Sequence, residues 1–439
     1  MAISLAAAVL LAGGVYADQW EWCALGVSIA ACLCVSVAAK SDQHSDDAWG
    51  SRILGMLLAW MLFQLVPLPP PLVALFSPYR WSTVAHLRAA IGYNMGAWLP
   101  FSLVPSVTLE RLLYVVPAMA AFVAAREMTR WWKPWITVAP IIVIAAIEGL
   151  LGVVQYYSMR TAGSTTVISG TYVNRNHFAG LLEMAFPLAI MCAVVLWRKR
   201  RAPFHQRTSQ ALQTGVLLGM ATCLLASVIL SLSRMGFLAT LGAASVAAAG
   251  LLASFQRGDS QPKQGPWRWA IPVAAPLCIL VLFSTNEMAA RFGDLSTTEL
   301  TQSGRTEIWR EAAQMVSMYK WTGCGLGAFE QGLYRFKTMA PMNTVDFAHN
   351  DYLQILAELG LPGAALVAVF GLWILRRNLR FVFAVPRRRN WELGVGLLGS
   401  FVAIGLHSLV DFNLYIPANA LTLAWLAGVA ASPGLDEER

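Results

Sequence analysis

The feature that most constrains this chain is a series of apolar runs, each about 18–24 residues long and nearly free of charge. A helix needs about 20 apolar residues to cross the hydrocarbon core of a bilayer. Inside lipid, every backbone polar group must be hydrogen-bonded within the protein, which leaves helices or a closed barrel. Because the runs are continuous rather than alternating, the sequence predicts an all-α integral membrane protein.

Composition excludes an ordinary soluble protein. Hydrophobic residues make up 57% of the chain and charged residues only 13%, whereas a soluble domain carries about 25% charged residues. The net charge of +8 would suggest nucleic acid as the partner of a soluble protein. Here it is better explained by topology, because Lys and Arg collect in cytoplasmic loops, and no nucleic-acid partner is expected.

We predict about twelve transmembrane helices in a single polytopic membrane domain, residues 1–439. The candidate spans are 2–17, 20–39, 53–76, 109–126, 135–157, 178–197, 211–232, 235–254, 269–286, 352–375, 392–412 and 415–431. With the N-terminus inside, alternating loops place 20 of the 32 Lys and Arg residues on the inner face. This asymmetry predicts that both termini are cytoplasmic.

The predicted outer face includes one long loop, residues 287–351, before a late apolar span. Apolar residues at helical spacing predict a helix over Arg305–Tyr319, so the loop is expected to be partly helical. The Gly-rich turn Gly323–Gly327 follows. No strand precedes it, so a dinucleotide-binding interpretation fails.

Three arginines lie on the predicted outer face against the positive-inside trend: Arg175, Arg234 and Arg305. A guanidinium group binds phosphate through two parallel hydrogen bonds, so several together are suited to a diphosphate. The alternative is that each contacts a lipid headgroup or a helix C-terminus.

His349 precedes the long apolar span at the predicted membrane–water boundary. A histidine there can accept a proton at ordinary pH, or it can simply cap or anchor the helix. His407 and Asp411 are spaced i, i+4, which predicts a shared helix face. This pair is expected to form either a local hydrogen bond or part of the site.

Two acidic residues, Glu148 and Glu183, fall within predicted spans. Intramembrane carboxylates are costly and usually face a cavity or a partner. They could pair with an arginine, line a substrate groove or couple a transporter to protons. The outer loops contain no DxD pair. Since a metal-bridged diphosphate normally needs clustered carboxylates, the sequence favours a metal-free mechanism in which Arg replaces the cation, and no cofactor is expected.

Several segments, taken together, resemble the O-antigen ligase and polymerase superfamily of bacterial envelope glycosyltransferases. They occur in the family's order and are Asn174–Gly180, Ser231–Gly236, Gly304–Trp309, His349–Gln354 and Glu358–Gly363. No single segment is specific. Their combination with many spans and one long outer loop before His349 makes the resemblance substantial.

The resemblance implies an all-helical C-type glycosyltransferase-like fold and a donor glycan on undecaprenyl diphosphate. Residues in the positions of Arg234 and Arg305 hold the diphosphate in this family, and the histidine in the position of His349 activates the acceptor hydroxyl. Arg175 lies in the family's Asn/Arg-rich segment. The candidate supporting residues are Asn174, His177, Asn350, Asp351, His407 and Asp411.

The resemblance leaves the acceptor open. A ligase transfers a finished glycan to lipid A–core, a polymerase joins lipid-linked repeat units, and a protein O-oligosaccharyltransferase glycosylates Ser or Thr. All three act at the periplasmic face of the bacterial inner membrane, among membrane lipids. A transporter or flippase is the alternative from another class, and it would depend on Glu148 while tolerating the loss of His349.

Overall fold

The computed structural model describes residues 1–39, 49–92, 98–161, 167–198, 204–256, 304–338, 344–384 and 389–435. Within these ranges the regular structure is helical, apart from an isolated bridge between Leu68 and Leu99. The helices, numbered in chain order, are α1 (Ala2–Leu10), α2 (Ala17–Ala39), α3 (Trp49–Phe63), α4 (Pro70–Phe76), α5 (Pro78–Ala90), α6 (Pro105–Trp131), α7 (Pro134–Thr161), α8 (Arg175–Arg198), α9 (Phe204–Leu230), α10 (Arg234–Gln256), α11 (Arg305–Met318), α12 (Phe329–Leu333), α13 (Asp351–Val382), α14 (Trp391–His407) and α15 (Pro417–Ala431).

Seven of the described helices are long and apolar enough to cross a membrane, namely α2, α6, α7, α8, α9, α10 and α13. Three shorter apolar helices, α3, α14 and α15, have 15–17 residues. The prediction of an all-α, multi-pass membrane protein is therefore confirmed. The predicted span 269–286 lies outside the described residues. The helix predicted within the long loop is present as α11.

Two predicted spans differ from the structure. The segment 2–17 contains only the nine-residue α1, which ends before a turn in which Gly13 and Gly14 have φ values of +73° and +74°. A helix of that length covers about 14 Å, roughly half of the hydrocarbon core. The segment 53–76 divides into α3 and α4, because Pro67 and Pro69 interrupt the helix between them and Pro70 and Pro71 begin α4.

Helix α8 forms the centre of the bundle. It is apolar on all sides, and the residues from Phe178 to Ile190 are almost completely buried. Helix α14 packs closely on it, since Gly396 and Gly399 leave room for Leu188 and Pro187 of α8. The hydroxyl of Ser400 then donates to the Met184 carbonyl at 2.6 Å.

Helix α13 is broken at Gly360, where φ is +63° and ψ is −175°. The first segment, 351–359, is held against the Gly-rich turn of the long loop. The Cys324 amide donates to the Ala357 carbonyl at 2.9 Å, and the Gly325 amide donates to the Glu358 carbonyl at 3.1 Å. The break thus separates a short helix beside the loop from the membrane-crossing remainder of α13.

Candidate functional site

The carboxylate of Asp411 is the point on which several of the predicted site residues converge. Its side chain is 1% exposed. His177 Nε2 lies 3.4 Å and His349 Nδ1 lies 3.8 Å from the same oxygen, Oδ1. Asn176 Nδ2 donates to Oδ2 at 2.7 Å, and Arg305 Nη2 lies 4.0 Å from that oxygen. Three segments far apart in sequence therefore meet at one buried anion.

The charge state of Asp411 follows from these neighbours. Burial alone raises the pKa of this carboxyl, but the imidazoles of His177 and His349 outweigh burial and hold the pKa well below its usual value. Opposite charge and hydrogen-bond donors favour the ionised form of an acid in this way. Asp411 is therefore an anion at neutral pH and orients the groups around it.

The backbone around His349 is held in a specific conformation. His349 has a φ of +49°, a left-handed value that a non-glycine residue adopts only when its surroundings impose it. On one side, Trp309 Nε1 donates to the Ala348 carbonyl at 2.8 Å, and Gln354 Oε1 accepts from the Ala348 amide at 2.6 Å. Trp309 lies one helical turn after Arg305, so α11 brings Arg305 to the same place.

On the other side of His349, Asn350 and Asp351 have structural contacts. Asn350 Oδ1 accepts from the Leu353 amide at 3.0 Å and caps α13. The fully buried Asp351 accepts from the Ser408 hydroxyl at 2.7 Å and from the Leu414 amide at 3.2 Å. Together these bonds join the start of α13 to the turn that carries Asp411.

An aromatic layer packs against the two histidines. The Phe412 ring lies 4.6 Å from the His177 ring and 4.9 Å from the His349 ring, both edge-to-face. Phe347 stacks on Phe412 with centroids 4.2 Å apart, and the Arg111 guanidinium lies 5.6 Å from the Phe347 centroid. This layer fixes the orientation of both imidazoles relative to Asp411.

The other two predicted arginines begin helices that touch each other. Arg175 is the first residue of α8, and Asn174 Oδ1 accepts from the Asn176 amide at 2.9 Å. Arg234 is the first residue of α10, immediately after the predicted tight turn, in which Leu232 has a φ of +52°. A Cβ placed on Gly236 would lie 2.6 Å from Ala179 Cβ, so the first turns of α8 and α10 are in close contact.

The predicted helix-face relation between His407 and Asp411 is wrong. Helix α14 ends at His407, and Asp411 lies in the following turn. His407 instead pairs with Glu183 of α8, with Nδ1 3.0 Å from Oε2 and both side chains fully buried. One of the two intramembrane acids therefore has a histidine partner rather than an arginine.

Glu148, the other intramembrane acid, holds the loop that precedes α8. Its Oε1 accepts from the Thr171 amide at 2.6 Å and from the Thr171 hydroxyl at 3.1 Å. Gly170 approaches Glu148 so closely that a Cβ would collide with the carboxylate. Gln155 Oε1 accepts from the Ser169 and Gly170 amides at 3.1 and 3.0 Å. Glu148 is thus a structural support for the Asn174–His177 segment.

Reasoning from the sequence does not single out four side chains of this cluster. Asn176 was part of a recognised segment but was not singled out, and Phe347 and Phe412 carry no periodic signal. Arg111 falls at the start of the predicted span 109–126, where a single charged residue does not indicate a site. Among the described residues, no group of three or more His, Cys, Asp or Glu side chains is arranged to hold a metal ion.

A protein family model matches part of the chain. Residues 218–368 match the Wzy_C family model, described as O-Antigen ligase. The match covers about a third of the chain, including Arg234, Arg305 and His349. A comparison with curated proteins finds no match. Over residues 218–368 the family match confirms the resemblance seen in the sequence.

Proposed function

We propose that this protein transfers a glycan from undecaprenyl diphosphate to an acceptor hydroxyl at the periplasmic face of the inner membrane. The observation that carries the proposal is the convergence of His349, His177, Asn176 and Arg305 on the buried Asp411 carboxylate. A superfamily of glycan ligases, a polytopic fold and an ordered base–acid pair together support an enzyme rather than a carrier.

In the proposed reaction His349 is the general base. Its Nδ1 is enclosed and faces Asp411, which leaves Nε2 to accept the proton of the acceptor hydroxyl. A carboxylate behind an imidazole orients the ring and stabilises its protonated form. The acceptor oxygen then bonds to the anomeric carbon as the bond from that carbon to the diphosphate oxygen breaks.

Undecaprenyl diphosphate leaves with an added negative charge, and the proposed role of Arg305 and Arg234 is to stabilise it. Arg305 is 18% exposed at the side chain and lies at the edge of the Asp411 cluster. Fixed positive charge aimed at a developing anion typically accelerates such steps by about 10²–10³ per group. Arg175 is proposed as a third diphosphate contact, and no metal ion is required in this mechanism.

Lipid A–core is the acceptor we propose, because the matching family is described as O-Antigen ligase. In this proposal the loop 287–351 faces the periplasm and the C-terminus is cytoplasmic. Because α1 is too short to cross the bilayer, the first crossing is α2. With the C-terminal end of α2 in the cytoplasm, the N-terminus then lies on the periplasmic side, which revises the expectation that both termini are cytoplasmic. We also propose that residues 1–439 form a single polytopic membrane domain.

The test is transfer by the purified protein in lipid, with undecaprenyl-diphosphate glycan, lipid A–core and EDTA. Wild type is expected to glycosylate the core. His349→Ala and Arg305→Ala are each expected to lose at least about 10²-fold in rate. Thermal unfolding of each variant serves as the folding control.

Each alternative outcome changes a different part of the proposal. Elongation of the lipid-linked glycan with an untouched core would replace the ligase with a polymerase. Loss of wild-type activity in EDTA, restored by a divalent cation, would remove the metal-free mechanism. Full activity of His349→Ala would remove the proposed base.

A further inference from the structure

A second cationic site lies away from the Asp411 cluster, on helix α5. Two arginines of this helix are buried, Arg80 with 6% and Arg88 with 9% of its surface exposed. Helix α5 packs against the segment that follows α11. The Tyr79 ring lies 5.4 Å from the Tyr319 ring and 5.7 Å from the Phe336 ring. In addition, the Thr322 hydroxyl donates to the Ser77 hydroxyl at 3.3 Å.

The guanidinium of Arg80 has neither a hydrogen bond nor an ion pair with any part of the chain that the structure describes. Its Nε is enclosed without a partner, whereas the two Nη nitrogens are not enclosed. Burying a charged group without a partner costs several kcal/mol, so such groups are normally paired. A buried, unpaired guanidinium therefore indicates that its partner is supplied from outside the chain.

The charges around Arg80 favour an anionic partner. Besides burial, the groups that influence the pKa of Arg80 are the Tyr319 phenol, the Cys324 thiol and the like-charged Arg88. No carboxylate is among these groups. Burial, the largest influence, lowers the pKa of Arg80 to about 10, so the side chain remains cationic at neutral pH. Arg335 adds positive charge nearby, with its guanidinium 5.2 Å from the Tyr79 ring centre.

The position of α5 indicates where such an anion comes from. Its outward side carries the exposed apolar residue Leu87, and Ile91 just beyond the helix end is exposed as well. Exposed apolar residues beside buried cations are typical of a segment at a membrane interface. The anion is therefore expected at the lipid surface rather than in bulk water.

The loop that contacts the start of α5 is also connected to the proposed catalytic site. Thr322, which is hydrogen-bonded to Ser77 at the start of α5, lies two residues before Cys324. The Cys324 amide donates to the carbonyl of Ala357, about two turns along the helix that begins beside His349. An anionic group held at Arg80 would thus be fixed relative to the start of α13. This link favours a substrate group over an unrelated ion.

We propose that Arg80 binds a phosphate group of the lipid-anchored acceptor and thereby positions the acceptor for transfer. The inference rests on the proposed function for the identity of the acceptor. The phosphate itself could come from two sources, the acceptor lipid or a membrane phospholipid, and both present a phosphate ester at the membrane surface.

Binding tests the proposal independently of catalysis. The protein would be purified in maltoside micelles, which contain no phosphate, as wild type, Arg80→Gln and the control Arg52→Gln. Arg52 is an exposed arginine on α3, with its guanidinium 5.9 Å from the Trp49 ring. The probes are lipid A–core with its phosphates, the same lipid after dephosphorylation, and phosphatidylglycerol. Dissociation constants and melting temperatures are measured for each combination.

Wild type and Arg52→Gln are expected to bind the phosphorylated acceptor about tenfold or more tightly than the dephosphorylated one. A difference of this size corresponds to the contribution of one charge-assisted hydrogen bond to the binding affinity. Arg80→Gln should bind both forms alike. If wild type bound both forms alike, while phosphatidylglycerol raised its melting temperature but not that of Arg80→Gln, a membrane phospholipid would replace the acceptor as the source. Equal behaviour of Arg80→Gln and wild type with all three probes would overturn the site.

A measurement without any probe distinguishes a binding residue from a structural one. Because the Arg80 charge is unpaired in the empty protein, Arg80→Gln should melt no lower than wild type in the absence of phosphate. A lower melting temperature would assign Arg80 a structural role and overturn the proposal. Failure of glycan transfer with the binding difference intact would instead reject the proposed reaction and leave this site standing.

Discussion

At the residue scale, the groups that face Asp411 compensate the free-energy cost of burying its charge. An isolated buried carboxylate is strongly unfavourable, whereas one that faces imidazoles, an amide and a guanidinium is held as an anion. Oδ1 of Asp411 faces the two histidines, and Oδ2 faces Asn176 and Arg305. The role we propose for Asp411 is to position His349.

The substitution Asp411→Asn keeps the size of the side chain and removes its charge. Transfer is expected to fall by about 10²-fold or more, as for the loss of effective general base catalysis. Binding of the undecaprenyl-diphosphate glycan should persist, since Arg234 and Arg305 remain. A pH–rate profile measured alongside donor affinity checks this, and an unchanged profile with an unchanged rate would contradict the positioning role.

The same substitution has a consequence for stability at low pH. Because the pKa of Asp411 is lower in the folded protein than the unfolded value of about 3.9, the ionised group stabilises the fold above that pH. This contribution is lost as the pH falls through the folded pKa. Melting temperatures of wild type should therefore drop below about pH 4 by more than those of Asp411→Asn.

Substitutions of Glu148 distinguish a transferase from a proton-coupled transporter. Its carboxylate accepts hydrogen bonds from Thr171, and the Oε1 of glutamine can accept the same bonds. Glu148→Gln should therefore keep most of the transferase activity, whereas Glu148→Ala should lower the melting temperature by leaving the partly buried Thr171 amide without its partner. Loss of activity in a stable, well-folded Glu148→Gln protein would favour a proton-coupled role.

At the scale of single elements, the break in α13 determines where the segment that begins beside His349 lies. Gly360 adopts a backbone conformation that is essentially restricted to glycine, and a Cβ there would lie 2.7 Å from the Gly323 amide nitrogen. The break allows segment 351–359 to pair with the Gly-rich turn while the rest of α13 crosses the membrane. A continuous helix would take His349 away from that turn.

Gly360→Ala is expected to destabilise the protein by about 1–3 kcal/mol, the cost of a strained backbone conformation. Gly371→Ala is the matched control, because a Cβ at Gly371 meets nothing within 4 Å and lies in the same helix. Alanine is also the better helix former at that position. Equal melting temperatures for the two variants would show that the break is not maintained by Gly360.

At the scale of the whole molecule, charge asymmetry predicts the orientation in the membrane. Ser82 of α5 lies on the predicted periplasmic side, and Ser209 of α9 lies on the predicted cytoplasmic side. In a variant without native cysteines, Ser82→Cys should react with a membrane-impermeant maleimide in spheroplasts, and Ser209→Cys only after permeabilisation. The reverse pattern would invert the topology and move the proposed site to the cytoplasm.

The sequence alone determined the fold class and the candidate chemistry. Continuous apolar runs are sufficient to predict membrane helices, because lipid enforces hydrogen bonding within each segment. The motifs around Arg234, Arg305 and His349 indicated the superfamily. The helix Arg305–Met318 followed from periodicity alone, since a helix needs only contacts close in sequence.

Only the tertiary structure decided which of these residues meet. His407 pairs with Glu183, and Asp411 faces His177 and His349. These residues are up to 234 positions apart in sequence, and contacts over such distances leave no periodic signal. The break at Gly360 depends on close packing against the distant backbone of residues 321–323. The unpaired Arg80 is visible only once burial is known, because a charge becomes costly only when the fold removes it from water.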